Sequence, residues 1–147
     1  MSYDVSVFLY FIVYSFIGWV IDTGARSYVA GRYMSGSFFR APFCPSYGFG
    51  ALAIIGVSHM LVGYSMAVEL VMYGILLALF EYVIGEFVLR VFHRRLWVYQ
   101  SGWLNLGGFT NALHAFLWGV LGVFLVHVLH PTLQEILVRI FKIKEPA

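Results

Sequence analysis

Two residues of this chain could do chemistry in surroundings where few reactive groups are expected. Glu81 lies near the middle of a long apolar stretch, and Cys44 lies between two prolines in the segment 42–45. An acid at the centre of a membrane span costs about 2.5–3.5 kcal/mol even on insertion-based scales, so such residues commonly mark a functional site. We therefore predict that Glu81 faces a protein interior and has a positive or hydrogen-bonding partner, with an arginine of the first connection as the natural candidate. A buried ion pair that only sets helix register is the structural alternative.

Three arginines, Arg26, Arg32 and Arg40, follow the first apolar stretch and could bind an anion. Asp22 precedes Arg26 by four residues, which is the spacing of an ion pair within one helix. The other two arginines lie in a connection that is apolar and aromatic but interrupted by proline and glycine, which excludes a regular lipid-facing helix.

Irregular backbone at membrane depth is tolerated only where it lines a cavity or is buried in protein. The connection therefore predicts a re-entrant loop that ends at the N-terminus of the second span, close to Tyr47. A helix N-terminus offers unpaired N–H groups and a positive dipole, and arginines beside it would complete an anion site. An interfacial loop with its arginines on lipid phosphates is the alternative, and Cys44 in it is a structural residue or a nucleophile with a spatial neighbour as its base.

The second half of the chain supplies further candidates. Tyr99 and Asn105 lie in a connection rich in arginine and aromatic residues, and His114 follows three residues after Asn111. Side chains three apart share a helix face, so Asn111 and His114 could line a polar path or hydrogen-bond between helices. His114 joins Glu81 and Cys44 as a candidate base or nucleophile.

The elements that must position these residues are four apolar stretches, each near or above the roughly 20 residues that cross a bilayer core. They predict an all-α, polytopic membrane protein, folded as one membrane domain over residues 1–147 and arranged as two helical hairpins. A tail over 131–143, with apolar residues at helical spacing, predicts an amphipathic interfacial helix. The predicted spans are 5–21, 47–64, 67–92 and 106–129.

Composition excludes several classes of protein. Hydrophobic residues make up 61% of the chain and charged residues 11%, whereas a soluble domain has about 25% charged residues. A net charge of +2 without a basic stripe argues against nucleic-acid binding. The sequence contains no P-loop and no zinc-protease motif, and it predicts neither a cofactor nor a metal. The lipid bilayer is therefore the predicted partner.

The distribution of basic residues predicts the orientation. Four spans place the first and third connections on one side, with six Lys and Arg residues against three in the tail. The positive-inside rule then places both connections in the cytoplasm. A weak repeat accompanies them, because Asp22 and Arg26 precede one connection as Glu86 and Arg90 precede the other, and two parallel-related hairpins are one explanation.

Several short sequence motifs resemble those of the putative ABC-transporter type IV family of CmpB-type membrane proteins. The most specific is Ala-Pro-Phe-Cys-Pro-Ser-Tyr-Gly-Phe-Gly at 41–50, and weaker ones lie at 14–22, 80–85 and 97–108. The resemblance covers residues 10 to about 120. The chain departs from the family pattern at Ala41, Val98 and Gln100, which stand where the family usually has Gly, an acid and Ser.

The resemblance implies a permease subunit that works with a separate ATPase chain and, because this chain is small, as a homo-oligomer or larger assembly. The leading hypothesis is a multi-pass, plasma-membrane permease for an anionic substrate. Its proposed binding residues are Asp22, Arg26, Arg32, Arg40, Tyr47, Glu81, Tyr99 and Asn105, with the two acids positioning the arginines or coupling to protons.

Two other functions fit the same residues. A membrane enzyme could act on a lipid headgroup or isoprenoid phosphate, with the arginines on the phosphate of an anionic lipid or a phosphorylated small molecule. A non-catalytic membrane adaptor would use the charges only as structural ion pairs.

Overall fold

The computed structural model describes residues 3–37 and 41–141. Within these residues the regular elements are helices, apart from one isolated β-bridge between Leu106 and Thr110. The predicted all-α class is confirmed. The helices are α1 (Tyr3–Ala30), α2 (Pro45–Ser58), α3 (Met66–Phe92), α4 (Ala112–Phe124), a π-helical turn (Leu125–Leu129) and α5 (His130–Phe141).

Three segments are long and apolar enough to cross a membrane: Val5–Ala30, Met66–Phe92 and Ala112–Phe141. Helix α2 is a shorter apolar helix of 14 residues. At 1.5 Å per residue it extends about 21 Å, which is less than the roughly 30 Å of a bilayer core. The chain is thus a membrane protein with three candidate spans and a shorter apolar helix, and a fourth crossing stays a prediction.

The last span begins later than the apolar stretch 106–129 predicts. Gly107 and Gly108 have φ angles of 60° and 80°, and Leu104 also has a positive φ, so the backbone before Ala112 cannot be α-helical. Helix α4 starts after Asn111, whose side chain accepts a hydrogen bond from the backbone N–H of His114. Asparagine is a favoured N-cap residue, so the helix begins where its first N–H groups find an acceptor.

The same span continues without a break into α5, where the sequence predicts a separate tail helix over 131–143. Pro131 has no N–H to bond the carbonyl of His127, and the helix widens into its π-helical turn, Leu125–Leu129, just before this proline. The tail is helical as far as Phe141, and positions 142 and 143 lie outside the described residues.

The chain divides into two compact units, Met1–Ala53 and Ile54–Ala147, called unit 1 and unit 2. In unit 1, the start of α2 packs closely on the middle of α1. A Cβ atom at Gly18 would overlap the ring of Tyr47, and one at Gly48 would overlap the hydroxyl of Ser15. The ring of Phe11 also contacts the ring of Phe49, with centroids 4.8 Å apart.

In unit 2, α3 and α4 pack as an antiparallel pair. A Cβ atom at Gly74 would lie 2.6 Å from the carbonyl oxygen of Ala115, and one at Gly119 would overlap the carbonyl oxygen of Leu70. Helix interfaces in membranes use small residues in this way, because close backbone approach replaces the hydrophobic driving force. Tyr73 is fully buried at the centre of the adjoining apolar cluster, which includes Ile54 and Leu61.

Candidate functional site

In unit 1, the connection between α1 and α2 folds back along α1. Three backbone contacts show this direction: Met34 N–H donates to the Ser27 hydroxyl (2.9 Å), Gly36 N–H to the Thr23 hydroxyl (2.9 Å), and Cys44 N–H to the Ser15 carbonyl (3.0 Å). From residue 34 to residue 44, the contacted position on α1 changes from 27 to 15. These 12 residues correspond to about 18 Å along a helix. Helix α2 consequently begins beside the middle of α1.

The predicted ion pair of α1 lies beside this returning connection. The Arg26 Nε donates to Asp22 Oδ2 at 2.7 Å, and both side chains are partly buried. Gly36 passes so near that a Cβ atom there would lie 2.6 Å from the same carboxylate oxygen. Of the other two predicted arginines, Arg32 is exposed, and Arg40 lies outside the described residues.

Cys44 is held at the end of the connection. Its thiol lies 3.6 Å from the Gly36 carbonyl oxygen, to which it donates, and 4.0 Å from the Ser46 hydroxyl. Burial raises the pKa of the Cys44 thiol, and the Asp22 carboxylate adds to this while Ser46 and Arg26 oppose it. A protonated thiol is a weak nucleophile, so these surroundings favour a structural role for Cys44.

In unit 2, the connection 93–111 folds back onto α3 and brings two predicted residues together. The Tyr99 hydroxyl donates to Glu81 Oε1 at 2.8 Å, and the Trp118 indole N–H donates to Glu81 Oε2 at 3.0 Å. The sequence predicts an arginine as the partner of Glu81. In the described part of the chain its partners are instead neutral: this phenol, this indole and the nearby Thr110 hydroxyl.

The connection is held in this form by its own hydrogen bonds. The Asn105 amide donates to the Tyr99 carbonyl (2.8 Å) and accepts from Gly108 N–H (2.7 Å), while Tyr99 N–H donates to the Gly108 carbonyl (2.9 Å). The ring of Phe109 then packs where a Cβ atom of Gly85 would be. Both ends of the Asn105 side chain are engaged, so Asn105 positions Tyr99.

His114 lies on the other side of Tyr99. The two rings stack with centroids 3.5 Å apart, and His114 Nδ1 lies 2.8 Å from Asn111 Oδ1, the oxygen that also caps α4. Because that oxygen accepts, the contact assigns the proton to Nδ1. Within unit 2, Tyr99 thus contacts both Glu81 and His114. Cys44, the third candidate, belongs to unit 1.

Sequence reasoning missed two features of unit 2. The first is Trp118, which could have been predicted as a site residue, because it lies four residues after His114 and so shares its helix face. The second feature is a contact between Glu69, a buried residue in the first turn of α3, and His127, whose Nε2 lies 2.5 Å from Glu69 Oε2. The described residues hold no group of three metal-binding side chains around this contact or elsewhere.

The comparison with protein families agrees with these observations. The family model described as "Putative ABC-transporter type IV" matches residues 9–145, which is nearly the whole chain. The chain belongs to this family. No similar curated protein and no similar solved structure was found.

Membership of the type IV family confirms the resemblance carried by the 41–50 segment and extends it beyond residue 120. Together with the apolar helices it identifies the chain as an integral membrane protein of an ABC-transporter-type family. In this chain the 41–50 motif forms the end of the returning connection and the start of α2.

Proposed function

We propose that this chain is the permease-type subunit of a transporter in the plasma membrane, and that unit 1 receives an anionic substrate. Arg26, Arg32 and Arg40 supply the positive charge in this proposal, and Asp22 positions Arg26. Tyr47 in the first turn of α2 is a further proposed contact to the substrate. A separate ATPase chain and further copies of this chain complete the transporter.

The observation that carries the proposal is the course of the 31–44 connection back along α1 to Ser15. Non-helical backbone at the depth of a span is tolerated only where it is buried in protein or lines a cavity. A segment of this kind that is rich in glycine, proline and arginine is typical of substrate sites in broken-helix transporters.

Charge supports an anion as the substrate. Residues 22–44 contain three arginines and one acid, Asp22. After the Asp22–Arg26 pair is formed, the segment keeps a surplus of positive charge. The start of α2 adds the positive end of a helix dipole, which favours a negative group.

Anion binding can be tested by thermal unfolding of the purified protein with phosphate, sulfate, pyrophosphate and small carboxylates. A bound anion stabilises the folded protein in proportion to the logarithm of its concentration over Kd. We expect one of these anions to raise Tm in the wild type, a smaller rise in Arg32→Lys and none in Arg32→Ala. The lysine keeps the charge but loses the bidentate geometry of arginine.

The matched control is Arg139→Ala, which removes an exposed arginine from its ion pair with Glu135 on α5. It should leave the anion effect unchanged. The same Tm rise in wild type and Arg32→Ala, or no rise with any anion, would remove the support for an anion site in unit 1.

The predicted ATPase subunit is tested separately, by native mass spectrometry of the gently solubilised complex. A co-purifying ATPase chain supports the permease. A retained phospholipid or phosphorylated metabolite that is lost in Arg32→Ala, without an ATPase, would favour the headgroup enzyme instead. An isolated chain without ligand would favour the membrane adaptor.

A further inference from the structure

The anion site proposed for unit 1 makes no use of Glu81, which lies in unit 2. Its Oε1 accepts from the Tyr99 hydroxyl and its Oε2 from the Trp118 indole, and the buried Thr110 hydroxyl lies close to the same carboxyl. None of the ion pairs in the described part of the chain includes Glu81. We infer that Glu81, Tyr99 and Trp118 form a proton-binding site.

The arrangement satisfies the ionised form of Glu81. A carboxylate is an acceptor only, and here both of its oxygens accept from a neutral donor. No positive side chain of the described residues offsets this negative charge, although a charge within a span is normally paired. A proton would supply a positive charge at this carboxylate, and it needs no additional space.

The same partners also satisfy the protonated form. When a proton from the aqueous phase binds Oε1, a new O–H bond forms on Glu81 and the carboxyl becomes a donor. The Tyr99 hydroxyl can then accept, because a phenol both donates and accepts, and it keeps its own proton by rotating it away. Trp118 donates only, and it continues to donate to Oε2. A lysine or arginine in place of Tyr99 could not accept from the protonated carboxyl.

The titratable and charged groups around Glu81 come from three elements. The connection contributes Tyr99 and also Arg95, whose guanidinium lies 4.5 Å from the Phe109 ring centre and donates to the Gly107 carbonyl. Helix α4 contributes His114, which stacks on Tyr99, and α3 contributes Tyr82 and, further along, the Glu86–Arg90 pair. Arg95 and the Glu86–Arg90 pair are already engaged, and Glu81 is the acid among these groups that has no cationic partner in the described residues.

Proton binding would loosen the connection. Hydrogen bonds to an ionised group are about twice as strong as those between neutral groups, so neutral Glu81 holds Tyr99 less firmly. Tyr99 is in turn bonded to Asn105 and Gly108, and the 93–111 connection ends at the N-cap of α4. The proton thus controls how tightly this connection is held on α3. The inference concerns unit 2 alone and is independent of anion binding in unit 1.

Infrared difference spectroscopy of the membrane-embedded protein tests the inference, because the carbonyl stretch of a protonated carboxyl is distinct from that of a carboxylate. We expect acidification to produce a protonated-carboxyl component that is lost in Glu81→Gln. Glu86→Gln, which alters a paired acid of the same helix, should retain it. Glutamine keeps the shape of the side chain and an acceptor for Trp118.

Tyr99→Phe and Tyr82→Phe provide the second comparison, which needs no change at Glu81. Phenylalanine keeps the stack on His114 but removes the acceptor for the Glu81 proton, so the carboxyl component should shift in frequency in Tyr99→Phe and not in Tyr82→Phe. The inference is overturned if the folded wild type shows no acid-induced component, if Glu81→Gln retains every component, or if Tyr99→Phe leaves the component unshifted.

Discussion

At the residue scale, the surroundings of Cys44 set its reactivity. Burial raises the pKa of this thiol, the only one in the chain, and its Sγ donates to the Gly36 carbonyl. A raised pKa means less thiolate near neutral pH, and the thiolate is the species that reacts with alkylating reagents. We expect labelling with iodoacetamide at pH 7 to be several-fold slower in the folded protein than in the denatured chain.

The pH dependence separates a raised pKa from simple shielding. In the denatured chain the labelling rate should level off above the ordinary thiol pKa of about 8.5. In the folded protein it should continue to rise at higher pH, because its thiolate forms later. Rapid labelling of the folded protein at pH 7 would contradict the structure and restore Cys44 as a candidate nucleophile.

At the scale of the elements, the glycines of α3 and α4 allow the two helices to approach closely. Gly119→Ala would place a Cβ atom against the carbonyl oxygen of Leu70, which is backbone and cannot turn aside. Overpacking of this kind costs about 1–3 kcal/mol. We expect Gly119→Ala to lower Tm in detergent.

Gly56→Ala is the matched control, because nothing lies within 4 Å of a Cβ atom at that position of α2. Alanine is the better helix former by up to about 1 kcal/mol, so this variant should be neutral or slightly stabilised. Equal losses of Tm in both variants would show that the α3–α4 contact at Gly119 does not determine stability.

The elements also show what the sequence could and could not predict. The all-α class and the Asp22–Arg26 and Glu86–Arg90 pairs follow from composition and from i, i+4 spacing, and the structure contains them. The membrane location also follows from composition, and three apolar helices are long enough to span a membrane. The hydrogen bond from Tyr99 to Glu81 could not be predicted in this way, because it depends on how far the 93–111 connection returns along α3. That path is determined by positive φ angles and by hydrogen bonds of Asn105, which have no periodic pattern.

At the scale of the whole molecule, the two units share a plan. Each has a long helix with an acid–base pair, 2.7 Å for Asp22–Arg26 and 3.0 Å for Glu86–Arg90, followed by a connection that folds back along that helix. In each, an aromatic ring packs on a glycine of that helix: Tyr47 of α2 on Gly18 in unit 1, and Phe109 of the 93–111 connection on Gly85 in unit 2. The parallel repeat of the sequence analysis stays a prediction, and it requires that α2 crosses the membrane.

The crossing of α2 can be decided by labelling single cysteines in a Cys44→Ser background. Tyr33→Cys, Val62→Cys and Gln100→Cys all replace exposed residues, in the first connection, the α2–α3 turn and the 93–111 connection. Four spans place positions 33 and 100 on one side and position 62 on the other. A membrane-impermeant maleimide on intact cells should then label position 62, and positions 33 and 100 only after permeabilisation, since the arginine-rich connections are predicted to be cytoplasmic. If α2, at about 21 Å, does not cross, positions 33 and 62 will label from the same side and position 100 from the opposite side. That result would leave three spans, and the parallel repeat would have to be abandoned.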